Sequence, residues 1–203
     1  MIARRHFFLG LGAAALVRPR LARAATSSPV ATIRSFYDVL LRAMKGGPRI
    51  GFAGRHDLLS PACRHTFDFP LMTRLMVGPQ WPSLPAEQQQ EIVNWFTAFS
   101  VATYANRFDD YSGEQFDVQD APVSVANGDQ IVKSQLVPTA GDKVELDYLM
   151  HDSGDGWRVI DVYLSGTVSE LATRRSEFSS VLRRGGPKAL VELLKSKVAE
   201  LSG

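Results

Sequence analysis

The stretch Gly156-Trp157-Arg158-Val159-Ile160-Asp161-Val162-Tyr163-Leu164-Ser165-Gly166-Thr167-Val168-Ser169 decides the fold. Its aromatic and β-branched residues make it the most strand-prone run of the chain. Apolar side chains occupy both parities of residues 157–164, so both faces of this strand are expected to be covered. Gly166 ends the strand, and Ser169 is suited to cap a following helix. The second face must be covered by helices or by a ligand.

The N-terminus predicts a signal peptide over residues 1–24. A basic segment precedes an apolar run that reaches Val17, and Ala22-Arg23-Ala24 matches a small-x-small cleavage motif. An apolar run of about 11 residues is too short to cross a bilayer, which needs about 20 residues. We therefore expect cleavage between Ala24 and Ala25.

The paired arginines Arg4-Arg5 leave two export routes open. Placed before Phe7, they resemble a twin-arginine export signal, whereas an ordinary secretory signal would use them only as its basic segment. Either route carries the protein out of a bacterial cytoplasm, most simply into a periplasm. Residues 25–203 then form a single domain of ordinary globular composition.

Removal of the signal peptide reverses the sign of the net charge. The five arginines of residues 1–24 leave 18 basic residues against 21 acidic residues in the mature chain, a net charge of −3. This balance gives no support to nucleic-acid binding, which needs a basic patch on the folded domain. The lone cysteine, Cys63, excludes an internal disulfide and is expected to be a buried small side chain rather than a reactive thiol.

Helical spacing of apolar residues dominates the first half of the mature chain. The first predicted helix ends at Gly46-Gly47-Pro48, and a second break is expected at Ser60-Pro61. A proline-rich turn over 79–85 precedes a longer helix. The predicted helices cover residues 30–44, 52–59, 61–67, 69–77 and 85–108.

The period changes to strand alternation between residues 115 and 164. Asn127-Gly128 is a hairpin signal, and residues 143–150 alternate between apolar and polar side chains. The pattern predicts an antiparallel meander of four or five strands. Two further helices follow Gly166 and are separated by Gly185-Gly186-Pro187. Helices, meander and helices in this order predict an α+β fold.

The chain offers few groups for catalysis. The three mature histidines, His56, His65 and His151, lie in no metal-ligand pattern, and the sequence has no nucleophile elbow, phosphate-binding loop or dinucleotide fingerprint. We therefore assign no metal, no cofactor and no catalytic residue.

Asp161 is the one carboxylate that could have a chemical role. It lies among apolar neighbours in the decisive strand, where burial could make it a general base beside Tyr148 or Tyr163. The alternative is a carboxylate that pairs with an arginine or caps a turn. We favour the second interpretation because the sequence places no other acid–base group beside Asp161.

Apolar side chains exceed what a small core needs. Residues 67–77 and 92–108 are rich in aromatic residues and methionine, and the meander adds a complete apolar face. Such a set either fills a core or lines a cavity, and methionine suits a cavity for variable ligands.

Several short motifs occur in a characteristic order along residues 30–200. They are Phe36-Tyr37, Thr103-Tyr104-Ala105-Asn106-Arg107-Phe108-x-x-Tyr111, Asp147-Tyr148, Gly156-Trp157-Arg158-Val159-Ile160-Asp161-Val162, Arg175-Ser176-x-Phe178 and Leu190-x-x-Leu193-Leu194. In order and spacing they resemble the MlaC family, the periplasmic phospholipid shuttles also called toluene-tolerance auxiliary components.

One segment resembles a particular branch of that family. Residues 169–178, Ser-Glu-Leu-Ala-Thr-Arg-Arg-Ser-Glu-Phe, look most like the branch found with hopanoid biosynthesis (HpnM-like). The core shuttle proteins carry a shorter pattern after the strand than the Gly166-Thr167-Val168-Ser169 of this chain.

The resemblance implies a soluble periplasmic lipid carrier. Helices and a curved four- to five-stranded antiparallel sheet would enclose the acyl chains of a phospholipid, or a hopanoid, in an apolar cavity. The implied partners are an inner-membrane ABC-type lipid transporter and an outer-membrane lipoprotein complex. Helical spacing and strand parity give these lipid-binding candidates: Leu71, Met72, Leu75, Met76, Trp95, Phe96, Phe99, Tyr104, Leu146, Tyr148, Met150, Trp157, Val159 and Tyr163.

Two other functions compete with the carrier. A small cone-shaped hydratase or isomerase would need Asp161 to face the cavity. An adaptor of a membrane lipid-transport complex that carries nothing would need a solidly packed core without a cavity. We prefer the carrier, which is not an enzyme.

Overall fold

The computed structural model describes residues 28–203. Within this range the order of elements is helices, sheet, helix, which confirms the predicted α+β fold. The helices are α1 (Pro29–Thr66), α2 (Phe69–Val77), α3 (Ala86–Arg107) and α4 (Glu170–Ser202), with 3-10 turns at Gly78–Ser83 and Ala126–Gly128. The strands are β1 (Gln115–Val118), β2 (Val123–Ser124), β3 (Gln130–Val132), β4 (Ser134–Val137), β5 (Val144–Asp152), β6 (Trp157–Leu164) and β7 (Val168–Ser169).

Helix α1 is broken at two glycines. Gly47 (φ 46°, ψ −138°) and Gly51 (φ 63°, ψ −176°) take backbone angles that strain residues with a Cβ atom. The break confirms the predicted end of the first helix at Gly46-Gly47-Pro48. The predicted signal peptide, with its cleavage site between Ala24 and Ala25, lies outside the described residues.

The predicted separation at Ser60-Pro61 is wrong. Helix α1 continues through Pro61, although proline lacks the N–H group that a helix interior uses. Leu59 and Cys63, on either side of the proline, are fully buried. Their burial in the core accounts for a helix that the proline alone would oppose.

Helix α4 begins where the sequence predicts. The Ser169 hydroxyl accepts a hydrogen bond from the backbone N–H of Ala172 at 2.9 Å and so caps the helix. The backbone leaves the helical conformation at Gly186 (φ 68°, ψ −168°). The two predicted C-terminal helices are therefore the two halves of α4, divided at the predicted glycine.

The seven strands form an open antiparallel sheet. Strand β5 is central. On one side it pairs with β4 and β3, which pair in turn with β1 and β2 respectively, and on the other side it pairs with β6, which pairs with β7. Strands β3 and β4 pair with β5 in one register, interrupted at Lys133 and Ser134, and the 3-10 turn at Ala126–Gly128 connects β2 to β3. The structure thus divides the predicted meander of four or five strands into shorter pieces without changing its order.

A bulge interrupts the pairing of β5 with β6. Leu149 lies opposite Asp161, whereas Met150 lies opposite Val159, so Ile160 is the extra residue. Residues 159–162 are all buried, in agreement with the prediction that both faces of this strand are covered.

The outer edge of β6 is covered by other parts of the chain. Phe67 forms a parallel bridge with Val159, and the backbone N–H of Asp68 donates to the Val159 carbonyl at 2.9 Å. The end of β6 pairs with β7. This contact fixes the start of α2 against the sheet, because the Asp68 carboxylate also caps α2 by accepting from the Leu71 backbone N–H at 2.9 Å.

The core lies between the helices and one face of the sheet. The Tyr37 hydroxyl in α1 lies 2.6 Å from the Ser134 hydroxyl in β4. The Cys63 thiol is buried, as predicted, and burial raises its pKa to about 12. None of the helices within residues 28–203 combines the length and apolar character needed to cross a membrane.

Candidate functional site

An apolar cavity of about 140 Å³ lies between α2, α3, the first turns of α4 and the sheet strands β5 and β6. Its apolar walls are formed by Phe67, Phe69, Met72, Phe96, Phe99, Tyr104, Phe108, Leu146, Tyr148, Val162, Leu164 and Leu171. Its polar lining consists of Ser100, Thr103, Arg107, Glu170 and Arg174.

Helix α3 forms the longest wall of the cavity. Ser100, Thr103, Tyr104 and Arg107 are spaced three or four residues apart and therefore lie on one stripe of the helix. The stripe runs from apolar residues into Arg107 in the last turn. The end of this wall near Phe96 and Phe99 is thus apolar, and the end at Arg107 is cationic and exposed.

The sheet forms the opposite wall. Leu146 and Tyr148 on β5 lie directly opposite Leu164 and Val162 on β6. Residues paired across an antiparallel sheet project from the same face, so these four side chains enter the cavity together.

Packed aromatic rings form part of the cavity wall. The ring of Phe67 lies 5.6 Å from those of Phe69 and Tyr104, and Tyr104 stacks on Phe108 at 5.8 Å. Burial raises the pKa of the hydroxyls of Tyr104 and Tyr148 well above its ordinary value. Both tyrosines are therefore neutral at physiological pH and add no charge to the cavity.

A charged network borders the cavity where α4 crosses α3. The Arg174 guanidinium lies 3.0 Å from Glu177 and 3.5 Å from Glu170, and its centre is 5.1 Å from the ring centroid of Phe99. Lys197 approaches Glu177 at 2.7 Å. Partial burial opposes ionisation of Glu177, but hydrogen bonds from Lys197 and Arg174 outweigh it and lower the pKa of the carboxyl.

Asp161 does not line this cavity. One carboxylate oxygen accepts from the backbone N–H groups of Val162 (2.7 Å) and Leu171 (3.0 Å), and the other accepts from the Ser169 hydroxyl at 2.6 Å. These bonds join β6 to the start of α4. The arrangement is that of a helix-capping carboxylate.

The cavity contains six of the fourteen predicted lipid-binding residues. They are Met72, Phe96, Phe99, Tyr104, Leu146 and Tyr148. The other eight lie outside its lining: Leu71, Leu75, Met76, Trp95, Met150, Trp157, Val159 and Tyr163. Of these, Met76, Met150 and Val159 are buried in the core, whereas Leu75 is 40% exposed.

The bulge explains why strand parity misplaces Tyr163, whereas Trp157 and Val159 lie on the same face as Val162 but outside the cavity lining. Across the bulge, Val159 and Val162 fall on the same face although an odd number of positions separates them. Residues 157, 159 and 163 share a parity in the sequence, but Tyr163 projects from the opposite face to Val162. The sequence carries no signal for the bulge itself.

Several residues of the lining escape the sequence analysis. The stripe on α3 could have revealed Ser100, Thr103 and Arg107, because they continue the helical spacing of Phe96. Glu170 and Arg174 sit on the corresponding stripe of α4. Among residues 28–203, no group of three or more histidine, cysteine or carboxylate side chains could hold a metal ion.

Comparison with protein families identifies the chain. The family model described as MlaC protein matches residues 35–196. The chain belongs to the MlaC family. A search of curated proteins returns no match for this MlaC-family chain.

A solved structure shares the fold of this MlaC-family chain. It is a phospholipid-binding protein from Ralstonia solanacearum, determined in complex with a phospholipid. The two chains are 26% identical, with a TM-score of 0.75 over 87% of this chain and 100% of the other.

Proposed function

We propose that the protein is a periplasmic lipid carrier that encloses the acyl chains of a phospholipid in the cavity between α3, α4 and the sheet. The observation that carries this proposal is the apolar cavity itself, bordered by charges at one side. Membership of the MlaC family and the similar phospholipid-bound protein support the same cargo. The six cavity-lining residues predicted from the sequence are the proposed acyl-chain contacts.

The energy of exposed methylene groups explains why such a carrier needs a cavity. Burial of each CH₂ group contributes about 0.8 kcal/mol of free energy. Exposing the chains of a lipid with some thirty CH₂ groups to water would therefore cost roughly 24 kcal/mol. A carrier removes lipid from a membrane only by covering nearly all of that surface. An apolar cavity without a catalytic group serves this purpose.

The cavity must widen to take a whole lipid. Its volume of about 140 Å³ resembles the engineered cavity of about 150 Å³ that binds benzene. We propose that the first half of α4 moves away from α3. Positive φ angles at Ser165 (50°) and Gly166 (70°) before this half, and at Gly186 (68°) after it, mark the two places where the chain direction already departs from regular structure.

The carrier would shuttle lipid across the periplasm. Its proposed partners are an inner-membrane ABC-type transporter and an outer-membrane lipoprotein complex, as the family resemblance of the sequence implies. The predicted signal peptide supports a periplasmic location. A hopanoid is the alternative cargo suggested by residues 169–178, and the mass of the bound molecule separates it from a phospholipid.

A side chain that fills the cavity provides the test. Ser100→Trp adds an indole to the cavity wall on α3, and Asn94→Trp adds the same group to an exposed position of that helix. After incubation with phospholipid vesicles, native mass spectrometry should find lipid on the wild type and on the Asn94→Trp variant. Ser100→Trp should reduce occupancy by about tenfold or more, the equivalent of ~1.4 kcal/mol.

The same experiment can refute the proposal. Wild-type protein that is free of lipid after purification and takes up none from vesicles would contradict a carrier and favour a non-carrying adaptor. Equal lipid occupancy of the Ser100→Trp variant and the wild type would place the ligand elsewhere.

A further inference from the structure

The polar side chains that line the cavity differ in how many hydrogen-bond donors they have free for a ligand. The Ser100 hydroxyl donates to the Phe96 carbonyl and the Thr103 hydroxyl to the Phe99 carbonyl, each at 2.8 Å. A hydroxyl has one hydrogen to donate, so neither group can also donate to an anion. Both can only accept.

The charged pair on α4 is also engaged. Arg174 contacts Glu170 and Glu177, and its guanidinium stacks over an aromatic ring of α3. Its charge is balanced by two carboxylates at 3.5 Å and 3.0 Å. Any anion that approached Arg174 would meet Glu170 at the same border of the cavity.

Arg107 is the polar side chain of the lining that remains free to bind an anion. It lines the cavity from the last turn of α3, is exposed, and makes no ion pair or side-chain hydrogen bond with any residue of the described range 28–203. Its neighbours on the stripe, Tyr104 and Phe108, stack on each other inside the cavity. One side chain therefore joins the apolar interior to solvent and carries an unpaired positive charge.

We propose that Arg107 binds the phosphate group of the lipid and so makes the carrier selective for lipids with an anionic phosphate ester over neutral lipids with the same acyl chains. The guanidinium offers a planar set of N–H donors that matches a phosphate in a bidentate arrangement. The acyl chains would lie along the α3 stripe toward Phe96, and the phosphate would stay at the exposed end. This inference rests on the proposed lipid-carrier function and specifies its cargo.

Arg107 also has a possible structural role. A cation in the last turn of a helix interacts favourably with the unpaired carbonyl groups at that end. This role would change the melting temperature when Arg107 is replaced. It would not change the preference between two lipids that differ only in the phosphate headgroup, so lipid preference is the decisive readout.

The test is a competition between two lipids with identical chains. The full-length protein is incubated with vesicles that contain equal amounts of dioleoyl phosphatidylglycerol and dioleoylglycerol, and both bound lipids are quantified by mass spectrometry. The variants are Arg107→Gln, Arg107→Lys and, as the matched control, Arg49→Gln. Arg49 is exposed, lies near the break of α1 and does not line the cavity.

The wild type and Arg49→Gln should be enriched in the phospholipid. Arg107→Gln should lower the ratio of bound phospholipid to bound diacylglycerol by about tenfold, the size expected for one charged hydrogen-bonding group. Arg107→Lys should retain part of the preference, because it keeps the charge but loses the planar fork.

Two outcomes would overturn the inference, and they are distinguishable. If wild-type protein takes up both lipids without preference, or if Arg107→Gln keeps the wild-type ratio, Arg107 does not select the headgroup while the carrier function stands. If the wild type takes up neither lipid, the carrier function fails and the inference fails with it.

Discussion

The carboxylate of Asp161 in β6 accepts a hydrogen bond from the Ser169 hydroxyl at 2.6 Å, and this contact ties the sheet to the first turn of α4. Ser169 in turn accepts from the backbone N–H of Ala172. The two side chains therefore cap the helix in series. The cap fixes α4 at the position where its next residues, Glu170 and Leu171, enter the cavity lining.

Asp161→Asn should lower the free energy of unfolding and leave lipid uptake unchanged. The amide keeps one oxygen for the two backbone donors, but it turns an N–H group toward Ser169 and removes the negative charge at the helix N-terminus. We expect a loss of about 1–2 kcal/mol in the free energy of unfolding, measured by urea denaturation. Asp155→Asn, in an exposed turn, is the control. Loss of lipid uptake at unchanged stability would show that Asp161 acts on the ligand and does not only cap α4.

Arg55→Met should lower the free energy of unfolding by releasing the broken segment of α1. Arg55 is buried and donates to the carbonyls of Ala105 at 2.8 Å and Gly47 at 3.0 Å, so it joins the broken segment of α1 to the end of α3. Methionine leaves both carbonyls without these donors, at a cost of about 2–4 kcal/mol. Thermal and urea unfolding would measure the loss. Arg49→Met, an exposed position nearby, should be nearly neutral, and an equal loss in both variants would argue against the buried contacts as the cause.

Stability should fall in alkali, and Tyr37 should account for part of the fall. Burial outweighs the hydrogen bond to Ser134 and raises the pKa of the Tyr37 hydroxyl to about 12. The hydroxyl ionises near pH 10 in the unfolded chain, so its contribution is complete below that pH and is lost as the pH rises toward 12.

Tyr37→Phe tests this pH dependence. Ser134 donates its own hydrogen to the Leu146 carbonyl, so Tyr37 is the donor in their contact. The variant should cost about 1 kcal/mol at pH 7 through the lost hydrogen bond. The difference from the wild type should shrink between pH 10 and 12, as measured by urea unfolding across that range. A difference that stays constant would show that Tyr37 does not titrate with unfolding.

Glu177→Gln should loosen the charged network beside the cavity. Glu177 binds both Arg174 and Lys197, and its pKa is lowered, so its contribution is present at neutral pH and is lost as the pH falls through the folded-state pKa. Because a third of the side chain is exposed, we expect a loss below about 1 kcal/mol, smaller in high salt. Glu192→Gln, which affects a single surface pair with Lys195, should have less effect. A loss that does not diminish as the pH is lowered until the carboxyl is protonated would contradict an ionic origin.

The glycine breaks and the capping residue could be predicted because their causes are local. Gly47 and Gly186 take positive φ angles, and Ser169 caps α4 with its own hydroxyl. The continuation of α1 through Pro61 could not be predicted, because it depends on the burial of Leu59 and Cys63 by distant parts of the chain. Local propensity gives way where tertiary packing opposes it.

The cavity wall was predictable on the strand that alternates regularly and not on the strand with the bulge. On β5, parity leads to Leu146 and Tyr148, and both line the cavity. On β6, the extra residue at Ile160 shifts the alternation, so Val162 and Leu164 line the cavity and Tyr163 does not. The charged residues at the border come from two helices, and only the folded chain brings Arg107 and Arg174 to one cavity.

The bridge between Phe67 and Val159 has a consequence for how copies of the protein meet. An exposed strand at the side of an open sheet can recruit a strand from another molecule, which is a route to aggregation. Here the backbone N–H of Asp68 already donates a hydrogen bond to the Val159 carbonyl, and β7 pairs with the end of β6. This side of the sheet is thus unavailable for pairing with a strand of a second copy.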